Sequence, residues 1–282
     1  MDRPQTDIKP DPSTLPLPRI LCLHGGGVNA AIFRSQMRAF LAHPLLVNRF
    51  RFVFVDAPFL CAEGVGVVPV YQDWGPFRRW FRWLASHETV DGVGDVHQRI
   101  WESVGEAMRG DEGVGEWVGL WGFSQGAKLA CSMLYEQQLR VDRGEGVARR
   151  KELEANGNGN GEGPEGVLWK FGVILAGRCP FAALSAEGEA LPWLQSAGGL
   201  PNQADMDAIT DRPDMKLRAP TLHVHGLRDE GLELHRRAVE DYCAPGTTTV
   251  VEWDGPHRVP IKKADVEKVV QAFVELVDEY GL

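Results

Sequence analysis

Trp117-Val118-Gly119-Leu120-Trp121-Gly122-Phe123-Ser124-Gln125-Gly126-Ala127-Lys128-Leu129-Ala130 is an apolar run that breaks at a glycine, passes through a serine and resumes with helical spacing. Residues 122–126 fit G-x-S-x-G, with a strand before and a helix after. A chain that turns this sharply strains its central residue, and neighbours bearing a Cβ would collide, so glycines flank Ser124. The turn lifts the serine hydroxyl above the sheet. It also places the Gln125 N–H at a helix start, where a donor and the helix dipole would meet a developing oxyanion. The plain alternative is a helix start with Ser124 as its cap.

A serine hydroxyl is a weak nucleophile without a base. In a sheet of this kind the acid and then the histidine follow the serine along the chain, each on a loop after a late strand. Asp229 follows the strand-like run Thr221-Leu222-His223-Val224-His225-Gly226. His257 follows Thr247–Trp253 and precedes the last helix. Glu230 and Asp254 are the nearby rivals for the acid. His223 and His225 share a strand face, but no third ligand stands at a sensible spacing, so no metal is expected. The first strand ends in His24-Gly25-Gly26-Gly27. Glycine there lets the backbone approach an acyl carbon, and Gly26 is the expected second oxyanion donor, with Gly27 and Val28 as alternatives. His24 reads as structural.

Outward from these motifs, strand and helix patterns alternate. Apolar strands read at 19–24, 50–55, 117–122, 167–176, 220–226 and 247–253. Helical spacing reads at 32–42, 97–109, 125–139 and 232–243, and in the stripe Val266, Val269, Val270, Phe273, Val274, Val277. The expectation is an α/β-hydrolase fold: about six mostly parallel strands with helices on both faces. Residues 1–18 read as a flexible N-terminal segment, 19–282 as one domain, 59–96 and 177–218 as cap segments. The stretch 140–166, with Asn156–Gly163 (NGNGNGEG), reads as a mobile loop.

Gly25-Gly26-Gly27-Val28-Asn29-Ala30 also fits G-x-G-x-x-A after a strand, the fingerprint of a nicotinamide-dependent oxidoreductase. The acid that would hold the ribose, Asp56, comes 31 residues after Gly25, against about 20 in that motif. That reading would also leave Ser124, Asp229 and His257 as coincidences. No cofactor is expected.

The chain has 282 residues, a formal net charge of −9 and a sequence pI near 5.4, which excludes wholesale nucleic-acid binding. Five widely spaced cysteines suit a reducing compartment better than a disulfide framework. With neither signal peptide nor membrane-length apolar run, the expectation is a soluble, cytoplasmic protein. Residues 71–84 (YQDWGPFRRWFRWL) are dense in aromatics, and Trp74, Phe77, Trp80 and Phe81 are expected to wall an apolar acyl pocket. Read as a helix, the same stretch puts Arg78, Arg79 and Arg82 on one face, a local basic patch for an acidic partner.

Leu21-x-Leu23-His24-Gly25, Asn29-x-x-Ile32-Phe33-Arg34-x-Gln36, Phe52–Phe59 (FVFVDAPF), Gly122-Phe123-Ser124-Gln125-Gly126-Ala127 and Gly255-Pro256-His257 together resemble the fungal serine hydrolase family, across most of residues 19–280. The resemblance implies acyl ester or thioester hydrolysis by Ser124, His257 and Asp229. It further implies release of a polyketide chain from an acyl carrier protein, with small-ester hydrolysis as the alternative.

Overall fold

Strand side chains alternate between two faces, so a strand apolar at every position must be covered on both. This is how the computed structural model is built; it describes residues 11–89, 92–145, 164–200 and 215–281. The strands are β1 (Arg19–Leu23), β2 (Arg51–Val55), β3 (Phe59–Cys61), β4 (Phe77–Arg79), β5 (Trp117–Phe123), β6 (Phe171–Leu175), β7 (Thr221–Gly226) and β8 (Thr248–Trp253). Six of them form one parallel sheet in the order β2-β1-β5-β6-β7-β8. The other two, β3 and β4, make a separate antiparallel pair.

On one face, Ile20, Cys22, Trp121, Val173 and Leu222 pack with Phe33, Phe40 and Phe273. These come from α1 (Ala30–Gln36), α2 (Arg38–Leu41) and α8 (Lys263–Asp278), with α3 (Pro44–Val47) adding Leu46. On the other face, Leu21, Leu23, Leu120 and Ile174 pack with Ile100, Ala127, Leu134 and Tyr242. Those side chains belong to α4 (Val93–Gly110), α5 (Gln125–Asp142) and α7 (Leu232–Tyr242); the short α6 (Ala186–Glu189) lies beyond the sheet. Each large apolar side chain so buried contributes roughly 1.5–3 kcal/mol. Pairing of β1 with β5 skips Val118, a bulge that changes which face later β5 residues meet.

Several boundaries differ from the sequence reading, each for a local reason. The helix expected at 32–42 is broken at Met37 into α1 and α2. Residues 71–84 are not a helix. Gly75-Pro76 interrupts them, because proline disfavours helical conformation in the residue before it, and Phe77–Arg79 pairs as a strand. Residues 11–18 are tied down rather than loose: Leu15 O accepts from Val114 N, Pro18 O accepts from Arg51 N, and Arg51 donates to Thr14 Oγ1 at 2.8 Å. Helix α5 runs on to Asp142, three residues into the expected loop; residues 146–163, with the Asn/Gly-rich stretch, lie outside the described residues. Among the described residues no helix is long and apolar enough to cross a membrane. All five cysteines are free.

At the sheet edge away from the serine, one buried carboxylate serves two guanidiniums. Arg51 Nε lies 2.9 Å from Asp111 Oδ1 and Arg19 NH1 lies 3.5 Å from Asp111 Oδ2, all three side chains under 10% exposed. Removing the anion strands both cations, which costs more than a surface pair would. Asp111→Ala is expected to destabilise the fold by about 3 kcal/mol in urea unfolding; a change under about 0.5 kcal/mol would contradict this.

Candidate functional site

Ser124 stands between the end of β5 and the start of α5 with φ 55° and ψ −114°, a conformation most side chains avoid. Close packing holds it there. A Cβ on Gly122 would lie 2.3 Å from Gly126 O, and one on Gly126 would lie 1.9 Å from Leu23 O. The two glycines therefore let the helix start press against β1. Ser124 N donates to Leu175 O at 2.9 Å, which ties the turn to β6 as well.

The loops after β7 and β8 run side by side. Leu227 N donates to Trp253 O and Arg228 N to Gly255 O, both at 2.9 Å. Gly226 permits this approach, since a Cβ there would lie 2.4 Å from Gly255 O. The result brings His257 between Asp229 and Ser124: Nδ1 to Asp229 Oδ2 is 2.6 Å, and Nε2 to Ser124 Oγ is 2.9 Å. With the carboxylate accepting, Nδ1 carries the proton and Nε2 accepts from the serine hydroxyl. Asp229 Oδ1 accepts from Gly231 N at 2.8 Å. Burial alone would raise this carboxyl, but the bonds from His257 and Gly231 outweigh it and bring its pKa to about 2. Asp254 instead projects into solvent and pairs with Arg228 at 2.8 Å.

Gln125 opens α5, so its N–H has no acceptor within the helix. Of the glycine-loop alternatives, the Gly27 N–H is engaged with Arg78 O at 2.9 Å. The Gly26 N–H has no backbone acceptor among the described residues. His24 holds the loop: Nδ1 meets Gly25 O at 2.6 Å and Nε2 accepts from Ala57 N at 3.0 Å. Trp80 Nε1 donates to His24 O.

The aromatic segment divides. Trp74 and Phe77 pack with Val28, Ile32 and Val67, and Trp80 is fully buried under the glycine loop. Phe81 reaches the site: its N and O both bond the Gln125 side chain. Trp83, another aromatic of the 71–84 cluster, does so too, and Lys128, which sequence reasoning missed, lies one helical turn after Ser124. Trp83 closes on Gly26, where a Cβ would lie 2.8 Å from its ring. The arginine patch does not form, because its premise was a helix. Arg79 is buried, donates to Glu88 O and lies over the Phe59 ring. Arg78 donates to Ala57 O and lies 3.9 Å from Asp56. Arg82 turns to Ala85 O.

Behind the acid lie further buried histidines. His223, His225 and His235 form a chain of rings that reaches His257, with successive centroids 5.9, 5.7 and 6.1 Å apart. His235 Nε2 is 3.8 Å from Asp229 Oδ2. Asp229, His235 and His257 each offer a donor atom within 4.8 Å of the others. The 2.6 Å contact between two of them is a proton-bridged distance, shorter than two ligands on one zinc would keep.

A parallel six-stranded sheet with helices on both faces, carrying this serine turn and the two late loops, defines an α/β-hydrolase. The family described as serine hydrolase (FSH1) matches residues 14–269, and the chain belongs to it. Esterase claE of Penicillium crustosum is 42% identical, over 96% of this chain and 97% of that protein. Esterase citA of Monascus ruber is 43% identical, over 98% of each. The crystal structure of Zea mays acyl-protein thioesterase 2 shares the fold at a TM-score of 0.50 and 18% identity, over 94% of this chain and 96% of that one. This chain is thus an ester-cleaving serine hydrolase.

Burial holds four histidines neutral: His24 and His225 are pushed down to about 4, His223 and His235 to about 3. The unfolded chain binds these protons near pH 6.5, before the folded one does. Their contribution to stability is therefore complete above pH 6.5 and is lost as pH falls from there toward 4 and 3. Thermal unfolding is expected to drop by about 10 °C or more between pH 7 and 5, at up to about 1.4 kcal/mol per histidine per pH unit. His225→Gln should flatten that slope; a pH-independent Tm over this range would contradict the assignment.

Proposed function

We propose that Ser124, His257 and Asp229 are a catalytic triad that cleaves acyl thioesters or esters by double displacement. The observation that carries the reading is the unbroken chain from Asp229 Oδ2 through His257 to Ser124 Oγ, at 2.6 and 2.9 Å. His257 Nε2 takes the hydroxyl proton as Ser124 Oγ attacks the acyl carbonyl. The Gln125 and Gly26 N–H groups receive the negative oxygen, and the imidazolium is stabilised by the Asp229 carboxylate. Collapse of the tetrahedral adduct expels the thiol or alcohol, which leaves with the proton from His257. Water, deprotonated by the same nitrogen, then releases the acid and restores Ser124.

The natural substrate, on this reading, is a polyketide or similar acyl chain on a carrier protein. Support comes from the resemblance of the motifs to the fungal serine hydrolases. The basic patch invoked for docking no longer supports it, because Arg79 is buried and Arg78 is committed to Asp56 and Ala57. Hydrolysis of small esters stands as the second reading, favoured by the esterase names of the full-length relatives.

Asp229→Asn is expected to lower kcat by about 10²–10⁴, and Ser124→Ala by about 10³ or more, with folding intact. Asp254→Asn and Glu230→Gln should stay within about twofold. Damage from either of the last two comparable to Asp229→Asn would overturn the assignment of the acid. For the substrate, mass spectrometry of an acyl-loaded carrier protein should show faster deacylation than of a free acyl thioester. Equal rates would favour small-ester hydrolysis.

A further inference from the structure

Lys128 follows Ser124 by four residues on α5, and its N–H donates to Ser124 O at 3.0 Å. Side chains on a helix lean toward its N-terminus, so this ammonium is directed back toward the serine turn. Among the described residues, several elements pack around it. From one cap segment comes Phe81, whose ring centroid is 5.9 Å from Nζ and whose backbone bonds Gln125. The other cap segment supplies Gln195, whose side-chain oxygen accepts from Nζ. Backbone bonds to Phe181 O and from Ala183 N fix Gln195 on both sides of Ala182, so the amide is held in place. The loop after β6 brings Arg178 and the Cys179 thiol. Arg178 in turn covers Gly231 and lies 3.9 Å from Asp229 Oδ1.

Among the described residues, none of the groups around Lys128 is a carboxylate, and Lys128 forms no ion pair. Asp229 is already committed to His257 and the Gly231 N–H. In a protein of net charge −9, Lys128 on the helix that Ser124 opens, and Arg178 beside Asp229, thus stand on elements next to the serine turn, and none of the described residues gives Lys128 an acid. A half-buried ammonium left without a counter-charge is costly unless something brings one. We propose that Lys128, with Arg178 beside it, receives a carboxylate-like ionised oxygen on the acyl part of the substrate, a few bonds beyond the scissile carbonyl. The enzyme thereby selects acidic acyl chains over neutral ones. This inference rests on Ser124 as the point of attack.

The charge on Lys128 is itself sensitive to pH. Burial lowers the ammonium to about 7; Cys179 opposes this slightly and Arg178 adds to it. Lys128 is therefore charged below about pH 7 and neutral above, while a substrate carboxylate stays ionised throughout. Selectivity for acidic acyl chains belongs to the lower side of that boundary.

The test compares mono-p-nitrophenyl esters of glutaric and adipic acid with their neutral methyl-capped counterparts. The ratio of kcat/KM for the acidic over the neutral ester is read, which cancels the ionisations of the triad that both esters share. In the native protein at pH 6.5 the ratio should exceed one, and it should fall as pH rises to 8.5. Lys128→Met should lower it about tenfold, chiefly through KM. Lys128→Arg should keep it and make it independent of pH. An unchanged ratio in Lys128→Met would overturn the proposal. So would a loss confined to phosphate-bearing leaving groups, read with acetyl-coenzyme A against a neutral acetyl thioester, since the anion would then belong to the leaving group. Activity persisting in Ser124→Ala would instead overturn the triad, and is read separately with the neutral ester.

Discussion

Ser124 is held at positive φ because the chain on either side is pressed against β1 and β6, and almost everything at the site depends on that contact. The press is possible only with hydrogen atoms at Gly122 and Gly126 in place of side chains. From it follow the lift of the serine hydroxyl above the sheet and the direction of the Gln125 N–H. It also directs Lys128 toward the same turn. Strain of this kind costs on the order of 1–3 kcal/mol and persists because the two-faced core over-determines it. The Trp121 ring next to the turn packs on Phe40, Phe52 and Phe273 from three different elements.

The second dependence is electrostatic. A histidine accepts a serine proton far better when an anion holds its other nitrogen, and Asp229 is kept anionic by two hydrogen bonds despite its burial. The three histidines behind it are neutral for the opposite reason: they are buried, and among the described residues most of their ring nitrogens have no hydrogen-bond partner. One pocket therefore holds a carboxylate charged and its neighbours uncharged, which limits the acid range over which the fold stands.

What the sequence made legible was what short range decides. Alternating apolar runs announce the strands, and a glycine-bounded serine after one of them announces the turn, because its constraint is steric and local. Asp229 and His257 were legible because a parallel sheet puts the ends of late strands side by side. Less was readable where distant segments meet. Gln195 reaches Lys128 from 67 residues away, and nothing in the helical run around Lys128 signals that partner. Trp83 was hidden among other aromatics of its segment, since which ring meets Gly26 depends on how the chain leaves β4. The arginine face over 71–84 assumed helical geometry, whereas Gly75-Pro76 decides the backbone there and Phe77–Arg79 pairs as a strand. The clustered arginines then fell to different neighbours.

In the proposed mechanism Ser124 Oγ, and no other nucleophile of this chain, attacks the acyl carbon. Reaction with a fluorophosphonate followed by peptide mass spectrometry tests it most directly, since the reagent phosphonylates the one hydroxyl that a base activates. One adduct per chain is expected, located at Ser124 and forming far more slowly in Asp229→Asn. Labelling at a different serine, or at Ser124 with an undiminished rate in Asp229→Asn, would contradict it.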